Sequence, residues 1–328
     1  MYDLDNYYPL GYFPTPLEKL ERVSKLFDGH EIFIKRDDNT GLATGGNKTR
    51  KLEYLIWDAL QKGCDTIISA GAQQSNHARQ TAAAAAKAGM QCHLMIGGEE
   101  PEVYNGNLLL DRMFGANIHF TGERRKGEDI PELTETLKSQ GKKPYIIPYG
   151  GSNRIGAMGY TRAMRELKEQ IDEMNLQIDY IFVSSSSGCT QAGMLLGREL
   201  FNVASEVIGI SVDKDEIHGR SLEIYIAELA NDTADLLGKA NEFVVTEVTL
   251  DREYDRPGYA VITENERHAL KLLGENEGIL LDPVYTARAF YGMLDYLRDG
   301  RLRNNTNVLF WHTGGTAANY FFADKIFG

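Results

Sequence analysis

The stretch DTIISAGAQQSNHARQTAAAAAK, residues 65–87, decides the fold. Its opening, DTIISA, is a largely apolar run bounded by Gly63 and Gly71, the pattern of a strand buried on both faces. A short polar turn follows, then an alanine-rich helical segment (75–88) whose small side chains allow close packing. The same sequence of strand, polar turn and helix recurs along the chain. EIFIKR (31–36), QCHLMIG (91–97), PYIIP (144–148), DYIFVS (179–184), EVIGISV (206–212) and NVLFWHT (307–313) all read as strands. TRKLEYLIWDALQK (49–62) sets Leu52, Leu55, Ile56, Ala59 and Leu60 on one face of an amphipathic helix. This rhythm predicts an α/β protein with parallel sheets covered by helices on both faces. At 328 residues the chain exceeds what one core usually holds, which points to two domains.

Composition narrows the function classes. A formal charge of −12, from 47 acids against 35 bases, disfavours binding to nucleic acid. No apolar run reaches the ~18 residues of a membrane span. The opening MYDLDNYYPLGYF lacks the basic and apolar regions of a secretory signal. Three scattered cysteines, Cys64, Cys92 and Cys189, form neither a disulfide framework nor a CxxC knuckle, so a reducing, cytoplasmic setting is expected. The seven histidines include no pair at metal-ligand spacing on a helix, and no metal site is expected.

Open parallel sheets bind ligands beyond the carboxyl ends of their strands. Three loops there stand out: AGAQQSNH (70–77), SSSSGCTQAG (184–193) and HTGGTAAN (312–319). They offer amides and hydroxyls and contain no carboxylate, which suits an anionic small molecule held without a metal. SSSSGCTQAG leads into a helix, so free amides and the positive end of the helix dipole could cradle a phosphate. A dinucleotide is disfavoured because no G-x-G is present. GLATGGNKT (41–49) is similar to a P-loop, yet Asn47 separates Gly46 from Lys48 and breaks that pattern. No G-x-S-x-G elbow marks a serine hydrolase. Lys48 follows a Gly-Gly pair and opens an amphipathic helix. A desolvated lysine near a phosphate-bearing aldehyde suits Schiff-base chemistry, and pyridoxal 5′-phosphate carries both groups.

At these residues the chain resembles a known family. GLATGGNKTRKLEYL (41–55), AGAQQSNHARQTAA (70–83), SSSSGCTQAGM (184–194), LLDPVYTARAFYGM (280–293) and WHTGG (311–315) together resemble pyridoxal-phosphate enzymes of the tryptophan-synthase-β fold. More narrowly they resemble the D-cysteine desulfhydrase and 1-aminocyclopropane-1-carboxylate (ACC) deaminase group. The resemblance implies fold type II: two open, twisted, mainly parallel sheets with helices on both faces and the cofactor between the domains. It implies a large domain of residues 1–49 and 161–328, a small inserted domain of residues 50–160, and a homodimer.

The resemblance also assigns roles. Lys48 would hold the cofactor's aldehyde covalently and later move the substrate's α-proton, with Ser75 as the other candidate base. Asn76 would bond the cofactor's 3′-oxygen, and Ser75, Asn76 and His77 would hold the substrate carboxylate. Lys51 and the turn Ser187, Gly188, Cys189 and Thr190 would bind the phosphate. Tyr259 and Tyr285 would stand over the substrate, a small amino acid. ACC deaminases carry Glu after DPVY and Leu in their H-x-G-G segment, where this chain has Thr286 and Thr313. Neutral hydroxyls near the pyridine nitrogen leave a shallower electron sink, which favours expelling a good β-leaving group over opening a cyclopropane. His77 also matches the desulfhydrase branch, while GLATGGNKTRKLEYL and SGCTQAGM are closer to the deaminases.

The expected reaction is therefore β-elimination, with D-cysteine giving pyruvate, ammonia and sulfide. ACC deamination and L-cysteate desulfonation are the alternatives within the fold. The latter would need a cation such as Arg154 or Arg288 for the sulfonate. A non-catalytic amino-acid- or cofactor-binding protein is the alternative outside enzymes.

Overall fold

The computed structural model describes residues 2–213, 216–240 and 242–327. Its strands are β1 (Leu17–Lys19), β2 (His30–Arg36), β3 (Thr66–Ala72), β4 (Gln91–Gly97), β5 (Asn117–Phe120), β6 (Pro144–Ile146), β7 (Tyr180–Ser185), β8 (Glu206–Ser211), β9 (Glu216–Ile217), β10 (Arg220–Ser221), β11 (Thr249–Asp251) and β12 (Thr306–His312). Its helices are α1 (Glu21–Ser24), α2 (Lys48–Gln61), α3 (Asn76–Lys87), α4 (Gly106–Met113), α5 (Ile130–Ser139), α6 (Arg154–Glu173), α7 (Cys189–Leu200), α8 (Leu222–Leu236), α9 (Glu264–Glu277), α10 (Thr286–Arg298), α11 (Ala317–Phe321) and α12 (Ala323–Phe327).

Two main sheets result. The larger has the order β1-β2-β12-β7-β8-β11 and is parallel except at β1. The smaller has the order β5-β4-β3-β6 and is parallel throughout. Strand alternation builds a core on each face of the larger sheet. Along β12, Leu309 and Trp311 pack with α6, α7 and α8 on one face. Val308 and Phe310 pack with Leu273, Phe290 and Met293 on the other. The smaller sheet buries Ile67, Leu94 and Ile96 under α2 and α3, and Ile68 and Met95 under α5. Helix α6 links the two bodies: Met158 belongs to the core of the smaller sheet, Tyr160 and Met164 to that of the larger.

Where β2, α2, α6 and β12 meet, the interior is ionic. Asp37 accepts from Arg50 Nε (2.9 Å) and Nη2 (2.8 Å), Tyr160 Oη (2.6 Å) and Trp311 Nε1 (2.8 Å). Glu166 accepts from Arg50 Nη1 (2.9 Å), Lys35 Nζ (2.5 Å) and the Thr15 amide (2.9 Å). Burial alone would raise the Asp37 carboxyl, but the Arg50 guanidinium and the Lys35 ammonium override it and hold the group below the usual range. Arg50 lies two residues beyond Lys48, so the cluster fixes the start of α2. Two glycines complete the approach. A Cβ on Gly45 would stand 1.7 Å from the Asp38 carbonyl, and one on Gly314 would stand 2.6 Å from Gly46 Cα. That close crossing lets the Asn47 amide bond the Thr313 carbonyl at 3.0 Å.

Removing one partner from a buried ion cluster leaves the others uncompensated. Asp37→Asn is expected to lower unfolding stability by about 3–5 kcal/mol, measured from urea unfolding curves of parent and variant; a change within error would refute this role.

Candidate active site

The loops after β3, β6, β7 and β12 converge with the start of α2 on one cleft. It encloses about 610 Å³ counting its open mouth and is lined by residues from all five segments. Lys48, Ser75, Asn76, His77, Ser187, Gly188, Thr190, Tyr285 and Thr313 all line it. Lys51, Cys189, Tyr259 and Thr286 stand outside the lining. No aspartate or glutamate is among the lining residues, so the cleft offers donors and one lysine to an anion. Among the described residues, no group of three or more His, Cys, Asp or Glu is placed to hold a metal.

Lys48 is positioned from two sides. On one, Asn47 Nδ2 donates to Thr190 Oγ1 (3.2 Å). On the other, α3 grips the loop before the lysine: Arg79 Nη2 (3.0 Å) and Gln80 Nε2 (2.9 Å) both donate to the Gly45 carbonyl. Arg79 also donates to Thr44 Oγ1, and Thr49 Oγ1 donates to Gln80 Oε1 (2.9 Å).

The turn into α7 lines the cleft with Ser187, Gly188 and Thr190. Gly188 takes a left-handed conformation (φ 73°) and directs the chain into the helix. Its place is fixed by Ser152 Oγ donating to the Ser187 carbonyl (2.6 Å). The buried Lys51 holds its ammonium 3.4 Å from the Gly150 carbonyl, beside this turn. Cys189 is buried and its polar groups have protein partners. Its amide bonds the Ser187 carbonyl (2.9 Å) and its thiol points to the Gly151 carbonyl (3.5 Å).

At the opposite end, Ser75 Oγ caps α3 by accepting from the Ala78 amide (3.1 Å). Asn76 Oδ1 accepts from Asn107 Nδ2 (2.9 Å), which leaves the Asn76 amide nitrogen as the donor available to the cleft. Ser69 Oγ donates to the Ile147 carbonyl (2.9 Å) and so accepts from His77 Nε2 (2.9 Å). His77 Nδ1 is then a buried acceptor with no protein partner among the described residues. Burial first, then the charges of Lys48 and Lys51, hold the imidazole well below its ordinary pKa. His77 is neutral.

Two phenols pair at the Tyr285 side of the cleft. Tyr285 Oη donates to Tyr259 Oη at 3.3 Å, with the rings edge-on at 6.0 Å. Burial raises Tyr259 to about 12, with Asp213 and Asp282 adding to it and the bond from Tyr285 opposing. Burial likewise pushes Tyr285 well above its ordinary value, helped by Tyr259, Tyr149 and Asp213. Both hydroxyls keep their protons. Tyr149, whose phenol burial also pushes up, was not singled out by sequence, nor was Asp213, which accepts from Ser186 Oγ (2.6 Å). Each directly follows a segment read as a strand, 144–148 and 206–212, and that position was the available signal.

The two hydroxyls expected near a pyridine nitrogen have different settings. Thr313 lines the cleft, its hydroxyl 3.1 Å from Ser184 Oγ. Thr286 is turned away, because its hydroxyl donates to Asp282 Oδ1 (2.8 Å) and accepts from the Asp282 amide (2.6 Å) at the start of α10. Of the two candidate sulfonate ligands, Arg154 is exposed and Arg288 is buried among protein acceptors.

Comparison with known proteins gives the following likenesses. Residues 8–314 match the family described as pyridoxal-phosphate dependent enzyme. A D-cysteine desulfhydrase of Klebsiella pneumoniae (strain 342) is 42% identical over 311 residues, 93% of this chain and 92% of that protein. A D-cysteine desulfhydrase of Serratia proteamaculans (strain 568) is 39% identical over 319 residues, 95% and 94% of the two chains. A crystal structure of an ACC deaminase homologue superposes with a TM-score of 0.89 at 38% identity, covering 98% of this chain and 95% of that one.

The neutral His77 sets a pH dependence. An unfolded imidazole takes a proton below about pH 6.5 while the buried ring does not, so stability falls as pH drops through that value. In His77→Gln the urea midpoint should fall less between about pH 6.5 and 5 than in the parent; identical slopes would contradict the buried neutral state.

Proposed function

Because the chain belongs to the pyridoxal-phosphate dependent enzymes, of fold type II, we propose that the cleft holds that cofactor at Lys48 and eliminates the β-substituent of D-cysteine. D-Cysteine and water would give pyruvate, ammonia and hydrogen sulfide. The observation that carries this reading is the lining itself: one lysine, a helix-start turn of serine, glycine and threonine, and no acid. It fits a phosphorylated aldehyde in charge and in donor type. The two desulfhydrases at 42% and 39% identity support the substrate.

Bound pyridoxal phosphate supplies an electron-withdrawing ring that acidifies the substrate's Cα proton and lets a β-substituent leave. The protein does the rest. The turn at Ser187, Gly188 and Thr190 holds the phosphate, with Lys51 as the nearby cation. Lys48 Nζ holds the aldehyde and then accepts the α-proton. Asn76 Nδ2 bonds the ring oxygen. Ser75, Asn76 and His77, at the start of α3, hold the substrate carboxylate at the positive end of that helix. Tyr285 Oη, which gives its proton to Tyr259 Oη when no substrate is bound, would turn that proton to the departing thiolate. Thr313 offers the ring nitrogen a hydroxyl instead of a carboxylate, which matches a reaction with an easy leaving group.

ACC deamination keeps support from the 38% identical ACC deaminase homologue. Cysteate desulfonation loses one of its two candidate cations, since Arg288 is committed inside the protein. The small domain is proposed as residues 50–160, supported by the smaller sheet lying within it. A homodimer and a cytoplasmic setting complete the proposal. Exposed Leu109 and Met113 on α4 beside Tyr320 and Phe321 on α11 support the first, and three free cysteines the second.

Incubating the holoenzyme separately with D-cysteine, L-cysteate and ACC tests the substrate. Sulfide and pyruvate from D-cysteine are expected; sulfite or 2-oxobutanoate as the main product would transfer the assignment to one of the other two. Lys48→Ala should lose the visible absorbance of the covalently held cofactor and lower turnover by at least about 10²–10⁴-fold.

A further inference from the structure

Arg288 sits on α10, three residues past Tyr285, and is 1% exposed. Its Nε donates to Glu266 Oε1 (2.7 Å). Nη1 donates to the carbonyls of Val212 (2.7 Å) and Gly258 (3.0 Å), and Nη2 to that of Val261 (2.8 Å). Val212 precedes Asp213, and Gly258 and Val261 bracket Tyr259. Residues 252–263, between β11 and α9, contain neither helix nor strand, so no ladder or helical turn fixes the tyrosine they carry. The planar guanidinium fork performs that task for several carbonyls at once, which a single ammonium cannot.

Glu266 extends the brace. Its Oε2 accepts from the Thr263 amide (2.7 Å) and Thr263 Oγ1 (2.5 Å), closing a capping box at the start of α9. The segment carrying Tyr259 is thereby suspended between the starts of α9 and α10. On its cleft side Tyr259 receives the hydrogen bond from Tyr285. These contacts form a closed circuit: Tyr285 through the first turn of α10 to Arg288, through the guanidinium to the carbonyls flanking Tyr259, and through the phenols back to Tyr285.

We propose that Arg288, paired with Glu266, is a positioning residue that sets the Tyr259 hydroxyl against Tyr285 and so fixes the phenol presented to the substrate's departing group. This rests on the reading above that the tyrosine pair stands over the substrate. Arg288 touches neither substrate nor cofactor and acts through the loop.

The test uses the holoenzyme and four variants: Arg288→Lys, Glu266→Gln, Tyr259→Phe and Tyr285→Phe, plus the Arg288→Lys/Tyr259→Phe double variant. Arg288→Lys and Glu266→Gln should lower kcat for D-cysteine by about 10- to 100-fold, with KM and the cofactor absorbance unchanged. In the double variant Arg288→Lys should add no further loss to that of Tyr259→Phe. Independently of activity, amide hydrogen exchange across 255–263 should quicken in Arg288→Lys while α3 and α7 keep the parent's protection. Unchanged exchange in that segment, parent-like kcat, or losses that multiply with Tyr259→Phe would overturn the proposal. So would loss of cofactor from both Arg288→Lys and Glu266→Gln, which would mark a general structural role. If Tyr259→Phe and Tyr285→Phe turn over like the parent while exchange still quickens, the loop brace stands. The reading of the tyrosines then fails, and with it the positioning role.

Discussion

The arrangement depends on one guanidinium. Arg50 bridges Asp37 and Glu166 in the interior, and these two carboxylates also gather Lys35, Tyr160, Trp311 and Thr15. Two buried acids would repel each other and unpaired cations would be expelled, so the group persists only as a complete set. Its effect is geometric. The first turn of α2 cannot rotate or slide without pulling Arg50 from both carboxylates, and Lys48 occupies that turn. A reactive amine on a flexible stem is thus delivered from a rigid base.

A second constraint joins the cleft and Lys48 through α3. The start of this helix faces the cleft with Ser75, Asn76 and His77, while Arg79 and Gln80, one turn further on, hold the Gly45 carbonyl. One helix therefore lines the cleft with its start and steadies the loop that carries Lys48. Any shift of the smaller sheet toward the larger moves both together, a device suited to closing a cleft between two bodies.

The α/β layering was legible in the sequence because buried parallel strands are nearly continuous apolar runs and their helices are amphipathic. DTIISA and NVLFWHT became β3 and β12 with little change in extent. The cleft was legible because a phosphate cradle needs glycine and hydroxyl residues just after a strand. Thr286 and Arg288 show where such reading stops. Both lie beside DPVY; the resemblance made the threonine a cofactor ligand, and charge made the arginine a candidate for a sulfonate. Only the fold shows that Asp282 takes the threonine hydroxyl and that three carbonyls and Glu266 take the arginine. Tyr149 and Asp213 are the converse: their place directly after a strand is the one local signal they carry, and residue type adds nothing to it.

The acid-free lining has a consequence for how the apoenzyme acquires its cofactor. The chain carries a formal charge of −12, while the lining of the cleft holds no aspartate or glutamate. A multiply charged phosphate ester meets a repulsive field before it meets the cradle, whereas a zwitterionic amino acid meets almost none. Raising ionic strength screens that field over roughly 10 Å at 0.1 M. Salt should therefore speed reloading of the empty protein and leave capture of the amino acid by the loaded enzyme nearly untouched.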